Sequence, residues 1–111
     1  MSLLIRLLIS TAAVIVSAYI LPGVAVDSFL TAFLVAIIMS LLNVIIKPVM
    51  IILTIPITIL TLGLFLFVIN AFIVLLASSI ISGFTVDGFW YALLFSIVLS
   101  LVNSLLSGYR Q

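Results

Sequence analysis

Cysteine and histidine are both absent from this chain of 111 residues. Without cysteine there is no disulfide and no thiolate metal site, and without histidine the commonest general acid–base and zinc-binding side chain is missing. The sequence also shows no nucleophile–base pair, no glycine-rich phosphate loop and no cluster of metal ligands. We therefore predict that the protein is not an enzyme and that it has no catalytic residue, no cofactor and no metal site.

Charge is scarce as well, because 5% of the residues are charged and 68% are hydrophobic. Soluble domains carry about 25% charged residues, and a small domain needs a polar shell for its large surface. We therefore expect the lipid bilayer to cover most of the surface. The net charge of +1 provides no basic stripe, so no nucleic-acid partner is expected. The charged residues are Arg6, Asp27, Lys47, Asp87 and Arg110.

These charges separate four uncharged runs, residues 7–26, 28–46, 48–86 and 88–109. A helix crosses a bilayer core of roughly 30 Å with about 20 apolar residues. Three runs therefore fit one span each, and the long third run is ambiguous, since it could hold one span and a further segment. None of the runs alternates as a membrane β-barrel strand would. The sequence predicts an all-α fold, an integral membrane four-helix bundle that forms one domain over residues 1–111.

An internal repeat organises the chain, since the same residue types recur at positions 60 apart. Because apolar segments resemble one another by composition, the matches at glycine, aspartate, phenylalanine, serine and asparagine carry the argument. We predict two tandem helical hairpins, residues 3–48 and 63–108, joined by a linker over residues 48–62. The most informative identical pairs are Gly23/Gly83, Asp27/Asp87, Phe29/Phe89, Ser40/Ser100 and Asn43/Asn103.

The bend of each predicted hairpin contains a glycine and an aspartate. Gly23 and Gly83 are expected to end a helix in the left-handed conformation. Asp27 and Asp87 are expected to cap the next helix, where a carboxylate accepts backbone N–H bonds at the positive end of the dipole. The alternative for the two aspartates is a cation site at a pore mouth.

The linker is apolar and contains Pro48 and Pro56. A straight helix over residues 48–62 would measure about 22 Å, and Pro56 would interrupt its hydrogen bonds. An interfacial or re-entrant segment is therefore expected, and a spanning one, which would invert the repeats, is the alternative. The threonines at positions 54, 58 and 61 either bond their own backbone or line a wet surface.

Three cations set the predicted orientation. Arg6 is expected to precede the first helix and Lys47 to follow the second, and Arg110 follows the last if that helix ends near Gly108. The positive-inside rule then places both termini and the linker in the cytoplasm, with the aspartate bends outside. Residues 6–18 also have the outline of a signal peptide cleaved after Ala18, although cleavage there would remove the repeat partner of the third helix.

Small polar residues recur within the predicted spans, and no titratable side chain does, which disfavours a proton-coupled transporter. Because polar groups in hydrocarbon need partners, we expect these residues to face the bundle interior. There they would form interhelical hydrogen bonds or, alternatively, a path for a solute or ion. The candidate intramembrane polar face comprises Ser10, Ser40, Asn43, Asn70, Ser100 and Asn103.

Several motifs resemble those of a bacterial membrane-protein family. They are Asn43-Val-Ile-Ile-Lys-Pro48, Leu53-Thr-Ile-Pro56, Thr61-Leu-Gly-Leu-Phe65, Ile69-Asn70 and Gly83-Phe-Thr-Val-Asp-Gly-Phe-Trp90. With these, the chain resembles the phage holin family, four-transmembrane-helix superfamily IV, over nearly its whole length. The resemblance implies a small multi-pass protein of the bacterial inner membrane, and the word holin implies accumulation and oligomerisation. It carries over no catalytic or binding residue.

The expected function is therefore that of a holin-like membrane protein that associates with itself as a homo-oligomer or with other membrane proteins. Two alternatives remain open. The first is a minimal transporter or lipid-handling protein built from two parallel hairpins. The second is an accessory or scaffold subunit of a membrane complex.

Overall fold

The structure, a computed structural model, describes residues 2–107. The expected roles of Gly108 as the end of the second repeat and of Arg110 as the third cation lie outside the described residues. The elements in chain order are α1 (Leu3–Ile20), β1 (Val24–Val26), α2 (Phe29–Leu53), α3 (Ile55–Leu60), α4 (Phe65–Ile80), β2 (Phe84–Val86) and α5 (Phe89–Ser107).

Helices dominate the fold, as the sequence predicts. Three of them, α1, α2 and α5, are long and apolar enough to cross a membrane. The fourth apolar helix, α4, has 16 residues and measures about 24 Å at roughly 1.5 Å per residue. Helix α3, with 6 residues, reaches only about 9 Å, which is too short to cross a bilayer core. The chain is thus a helical bundle of membrane-protein character.

The four long helices form a ring in which each contacts two others. Helices α1 and α4 both pack against α2 and α5. Alanines with no exposed surface lie in all four helices and let the backbones approach closely, namely Ala13, Ala32, Ala71, Ala77 and Ala92. Larger side chains such as Val35, Ile69 and Phe95 fill the remaining interior. The outer surface carries many exposed leucines and isoleucines, as lipid contact requires.

A two-stranded antiparallel ribbon joins the two bends. Ala25 lies opposite Thr85, and Val24 and Val26 lie opposite Val86 and Phe84. Repeat-equivalent positions therefore exchange places across the ribbon. Two further bonds extend it symmetrically, from Asp27 N–H to Gly83 O (3.0 Å) and from Asp87 N–H to Gly23 O (2.8 Å). The purely helical prediction omitted this ribbon, whose β-branched and aromatic residues favour extended backbone.

Helix α2 is longer than the sequence argument expected. It continues through Lys47 and Pro48 to Leu53, so the placement of Lys47 after the helix and the linker boundary at residue 48 are wrong. The placement of Arg6 before the first helix is wrong as well, because α1 begins at Leu3. Pro48 removes one backbone donor from the helix, yet the helix goes on for more than a further turn. Lys47 lies about 27 Å along α2 from Phe29. It is therefore still near the far edge of a bilayer core of roughly 30 Å, where a lysine can extend its amine to the interface.

The chain breaks its helix at Thr54, between α2 and α3. Pro56 lies in the first turn of α3, the one part of a helix where its missing N–H needs no partner. The side chain of Thr54 donates to Met50 O at 2.7 Å, and that of Thr61 donates to Ile57 O at 3.0 Å. These bonds confirm the expected pairing of linker threonines with their own backbone at these two positions. Thr58 instead lies 3.4 Å from the Thr54 hydroxyl.

Candidate functional sites in the bundle

The residues of the candidate polar face lie at matching depths in the two repeats. Asn43 and Asn103 lie at equivalent positions of α2 and α5, the same number of residues after the start of the helix. Each is therefore about 21 Å from the ribbon end of its helix. Ser10 and Asn70 also match, since each precedes the ribbon end of its own helix by about 15 Å. The six side chains thus occupy a polar band about 15–21 Å from the ribbon ends of their helices.

The polar side chains do not converge on the interior. Ser40, Asn43 and Ser100 are exposed, while Ser10, Asn70 and Asn103 are only partly buried. The expectation that this face points into the bundle is therefore wrong for the three exposed residues. The physical reason is packing: buried alanines and larger apolar side chains already fill the interior of α2 and α5. Small polar residues at the periphery of a helix are left facing outward.

Within residues 2–107, Ser40 is the one member of the polar face whose side chain forms a hydrogen bond. The Ser40 hydroxyl donates to Ala36 O at 2.8 Å, one turn earlier in α2, and so satisfies itself locally. An asparagine amide has two donors and an acceptor, and cannot do this completely within a helix. Among residues 2–107 the side chains of Asn43, Asn70 and Asn103 form no hydrogen bond, and none of the six polar side chains bonds another.

One buried hydroxyl was not anticipated from the sequence. Ser17 in α1 has no exposed surface, and within the described part of the chain its Oγ has no hydrogen-bond partner. The repeat-equivalent residue is Ala77, which is equally buried. By contrast, the buried Thr11 donates to Leu7 O at 2.7 Å. Comparison with Ala77 would have marked Ser17 as a polar substitution at an apolar position.

A second polar cluster surrounds Asp27 at the start of α2. The Thr31 hydroxyl donates to Asp27 Oδ1 at 2.6 Å, and the Ser28 hydroxyl donates to Thr31 Oγ1 at 3.1 Å. Thr31 N–H donates to Ser28 Oγ at 3.1 Å, so Ser28 is the residue that caps α2. The expected capping role of Asp27 is therefore wrong. Its own N–H belongs to the ribbon, which places it one residue too early to cap the helix.

The second bend has different chemistry. Helix α5 begins at Phe89, and Ala92 N–H donates to Gly88 O at 3.0 Å. Gly88 thus occupies the cap position, and the assignment of Asp87 as a cap is also wrong. Gly88 replaces Ser28 and Tyr91 replaces Thr31, and within residues 2–107 no hydroxyl of that first turn bonds Asp87 as Thr31 bonds Asp27. Within residues 2–107 the exposed Asp87 carboxylate has no hydrogen-bond partner.

The glycines of the two bends are needed more for close contacts with other side chains than for ending a helix. Helix α1 ends in an extended Leu21, and Gly23 is not in the left-handed region, contrary to expectation. A Cβ on Gly23 would overlap the ring of Tyr91. Gly83 has a φ of +94°, and a Cβ there would lie 2.5 Å from Asp27 Oδ2. Each glycine therefore makes room for a side chain of the other bend.

Ser28 and Thr31 are the site residues that the sequence argument missed. A signal was present, since Ser28 precedes an apolar helix and Thr31 follows it at the spacing of a hydroxyl cap. The adjacent aspartate, which is an equally good capping residue, concealed it. The structure distinguishes the two candidate caps, because the Asp27 N–H bonds Gly83 O in the ribbon and Ser28 is the residue that directly precedes α2.

Comparison with known proteins places the chain in a family. The family described as "Mycobacterial 4 TMS phage holin, superfamily IV" matches residues 1–105. The uncharacterized membrane protein YvlD of Bacillus subtilis is 42% identical over 94 residues, which cover 84% of this chain and 78% of that protein. An uncharacterized protein of Streptomyces coelicolor is 40% identical over 87 residues, covering 75% of this chain and 70% of the relative.

No solved structure matches the chain. The match over residues 1–105 agrees with the resemblance that the asparagine, proline and glycine motifs indicate. The apolar helices agree with the membrane designation of the Bacillus relative. This multi-pass membrane protein therefore belongs to the family of four-transmembrane-segment phage holins, superfamily IV.

Proposed function

We propose that the protein is a holin-like membrane component that associates with itself in the bilayer through the polar residues on its outer surface. The observation that carries the proposal is the exposed Asn43 side chain near the middle of α2, without a hydrogen bond inside the described chain. An amide in contact with hydrocarbon is costly unless it is paired. A second copy of the chain would supply the missing partner.

The energy available fits an assembly that depends on concentration. Interhelical polar contacts in membranes contribute about 0.6 kcal/mol on average and roughly 1–2 kcal/mol in model peptides. Such contacts are weak one by one. Association would then need high abundance in the membrane, which agrees with the accumulation that the holin family name implies.

The ring of helices supports an assembly larger than a dimer. Helices α2 and α5 are not neighbours in the described bundle, so they lie at opposite corners. Each carries an asparagine and a serine at the same distance from the ribbon. Two like faces on opposite sides allow each copy to bind two neighbours, and such contacts continue unless the geometry closes into a ring.

The proposed arrangement consists of two hairpins that lie parallel in the bacterial inner membrane, with their ribbon outside and the amino terminus in the cytoplasm. Pairing of β1 with β2 at one end of the bundle supports it, as does the short α3 at the other end. Arg6 and Lys47 are both remote from the ribbon along their helices, in agreement with the positive-inside rule. The protein would act by assembly, without catalysis and without a cofactor.

Thiol labelling tests this orientation directly, because the chain has no cysteine of its own. Single cysteines at the exposed positions of Ala25, Thr85 and Ser2 report on the two ends. An impermeant reagent added to whole cells should label positions 25 and 85 and spare position 2 until the cells are lysed. Labelling of position 2 alone would reverse the arrangement, and labelling of all three would show that α1, which lies between positions 2 and 25, does not cross the membrane.

Induced expression with a membrane-potential dye tests the function. The wild type should depolarise the membrane once its abundance passes a threshold. The double substitution Asn43→Leu/Asn103→Leu should raise that threshold or abolish depolarisation at equal abundance. Ser79→Leu is the matched control, because Ser79 is exposed on α4 outside the polar band and bonds Leu76 O. No depolarisation by abundant wild type would refute the proposal.

A further inference from the structure

A groove opens beside the first bend, between the end of α1 and the start of α2. Its volume is about 360 Å³, and its lining includes Ile15, Ala18, Tyr19, Val24, Asp27 and Phe29. This volume is at the lower end of the roughly 300–1,000 Å³ that small-molecule sites occupy. The walls are mainly apolar, and the polar side-chain groups of the lining are the Asp27 carboxylate and the hydroxyls of Ser28 and Tyr19. The groove therefore combines one negative charge with an apolar floor.

The charge distribution decides which ligand fits. Within the described residues, Asp27 and Asp87 are the formal charges at the ribbon end of the bundle. Arg6 lies in the first turn of α1, and Lys47 lies about 27 Å along α2 from the groove. An anionic headgroup would find no cation beside this groove. A cationic group would find a carboxylate.

Aromatic residues at the mouth of the groove also favour a cationic ligand. Tyr19 is 91% exposed and Phe29 is 62% exposed, although both are large. Aromatic side chains are enriched where headgroups meet the hydrocarbon, and their ring faces attract ammonium groups. The Thr31 hydroxyl holds the Asp27 carboxylate at 2.6 Å. The negative group is thus fixed before any ligand binds.

We propose that this groove binds a phospholipid whose headgroup ends in a primary ammonium, as in phosphatidylethanolamine. The ammonium donates hydrogen bonds to the Asp27 carboxylate between the rings of Tyr19 and Phe29. The acyl chains lie along the exposed Ile15 and Val16 of α1. This inference requires only that the bundle is embedded in a bilayer, and it is independent of self-association.

The second bend provides an internal control. Asp87 has the same charge, but Gly88 and Tyr91 replace the serine and threonine that organise Asp27. Asp27→Asn and Asp87→Asn therefore change the net charge equally and differ only in which bend they alter. Tyr19→Leu is a further variant, since a side chain that is 91% exposed can be replaced without disturbing the fold.

The experiment measures phospholipid binding to the purified full-length chain in micelles, by native mass spectrometry and by the rise in Tm on lipid addition. Phosphatidylethanolamine, phosphatidylcholine and phosphatidylglycerol are compared. We expect phosphatidylethanolamine to bind wild type and Asp87→Asn alike, Asp27→Asn to lose at least tenfold in affinity, and Tyr19→Leu to bind more weakly. Equal binding of all three lipids, or equal binding by both asparagine variants, would overturn the proposal.

Discussion

The two bends of the molecule make the same backbone hydrogen bonds but differ in their side-chain contacts. Both contain glycine, aspartate and phenylalanine at repeat-equivalent positions, and both donate one aspartate N–H to the glycine carbonyl of the other bend. They differ in the first turn of the following helix. There Ser28 and Thr31 organise a carboxylate in the first bend, whereas Gly88 and Tyr91 replace them in the second.

The comparison separates residues that build the ribbon from residues that give each bend its own contacts. The shared glycines make room for partners that differ, because Gly23 faces the Tyr91 ring and Gly83 faces the Asp27 carboxylate. The ribbon interior differs too, since Phe84 packs on Phe95 with ring centroids 5.5 Å apart, and the equivalent of Phe84 is the smaller Val24. The two halves are therefore unequal in packing as well as in polarity.

The largest expected effect concerns this difference in packing. Phe84 is 1% exposed and Val24 is 4% exposed. Phe84→Ala should lower the free energy of unfolding by about 3–5 kcal/mol, because a large cavity remains. Val24→Ala removes two methyl groups and should cost about 1.5 kcal/mol. Denaturant unfolding in micelles measures both, and equal losses would show that the two bends are equally packed.

Substitutions at two glycines distinguish the energetic cost of backbone strain from the cost of a side-chain contact. Gly83 and Gly63 both have positive φ, +94° and +89°, but only Gly83 has a neighbour within 4 Å of an added Cβ. Gly63→Ala should cost about 1 kcal/mol through strain alone. Gly83→Ala should cost about 2–3 kcal/mol, because the Asp27 carboxylate must also move. If both cost the same in the unfolding assay, the contact between bends is unimportant.

The Thr31 hydroxyl, which bonds Asp27, can be compared with the hydroxyl of Tyr91 at the repeat-equivalent position. Thr31→Val removes the donor to the carboxylate and should destabilise the protein by about 1 kcal/mol. Tyr91→Phe removes the hydroxyl at the equivalent position, which has no hydrogen bond within residues 2–107, and should change stability by less than about 0.5 kcal/mol. Thermal unfolding of the two variants compares them. A larger effect of Tyr91→Phe would reverse the assignment of roles.

The smallest expected effect has the opposite sign. Ser17→Ala converts the buried, unbonded hydroxyl into the alanine found at position 77, and should stabilise the bundle by up to about 1 kcal/mol. Thr11→Val is the control, because it removes a bonded hydroxyl and should destabilise or leave stability unchanged. Destabilisation by Ser17→Ala would contradict the absence of a hydrogen-bond partner for the buried Ser17 hydroxyl.

Sequence reasoning predicted the helices better than their ends. Apolar runs of about 20 residues specify spans because lipid demands internal hydrogen bonds. The ribbon escaped prediction because its short strands are stabilised by each other, and they belong to distant parts of the sequence. The end of α2 was missed because Pro48 and Lys47 usually mark a helix boundary, whereas apolar residues up to Leu53 continue this one.

The sequence predicted the matching depths of the two asparagines but not the direction in which the polar side chains face. Equal spacing in the two repeats placed Asn43 and Asn103 at one depth. Which side of a helix faces the interior depends on its neighbours, and the apolar surface of a membrane helix does not distinguish lipid from protein. Small buried residues such as Ala32 and Ala92 were the better guide to the interior.

The number of chains per complex tests the central claim most directly. Single-molecule photobleaching of labelled protein in liposomes, at one protein-to-lipid ratio, counts the copies. We expect complexes of more than two chains for wild type and Ser79→Leu, and mainly monomers for Asn43→Leu/Asn103→Leu. Monomeric wild type, or a double variant that assembles as the wild type does, would contradict assembly through Asn43 and Asn103.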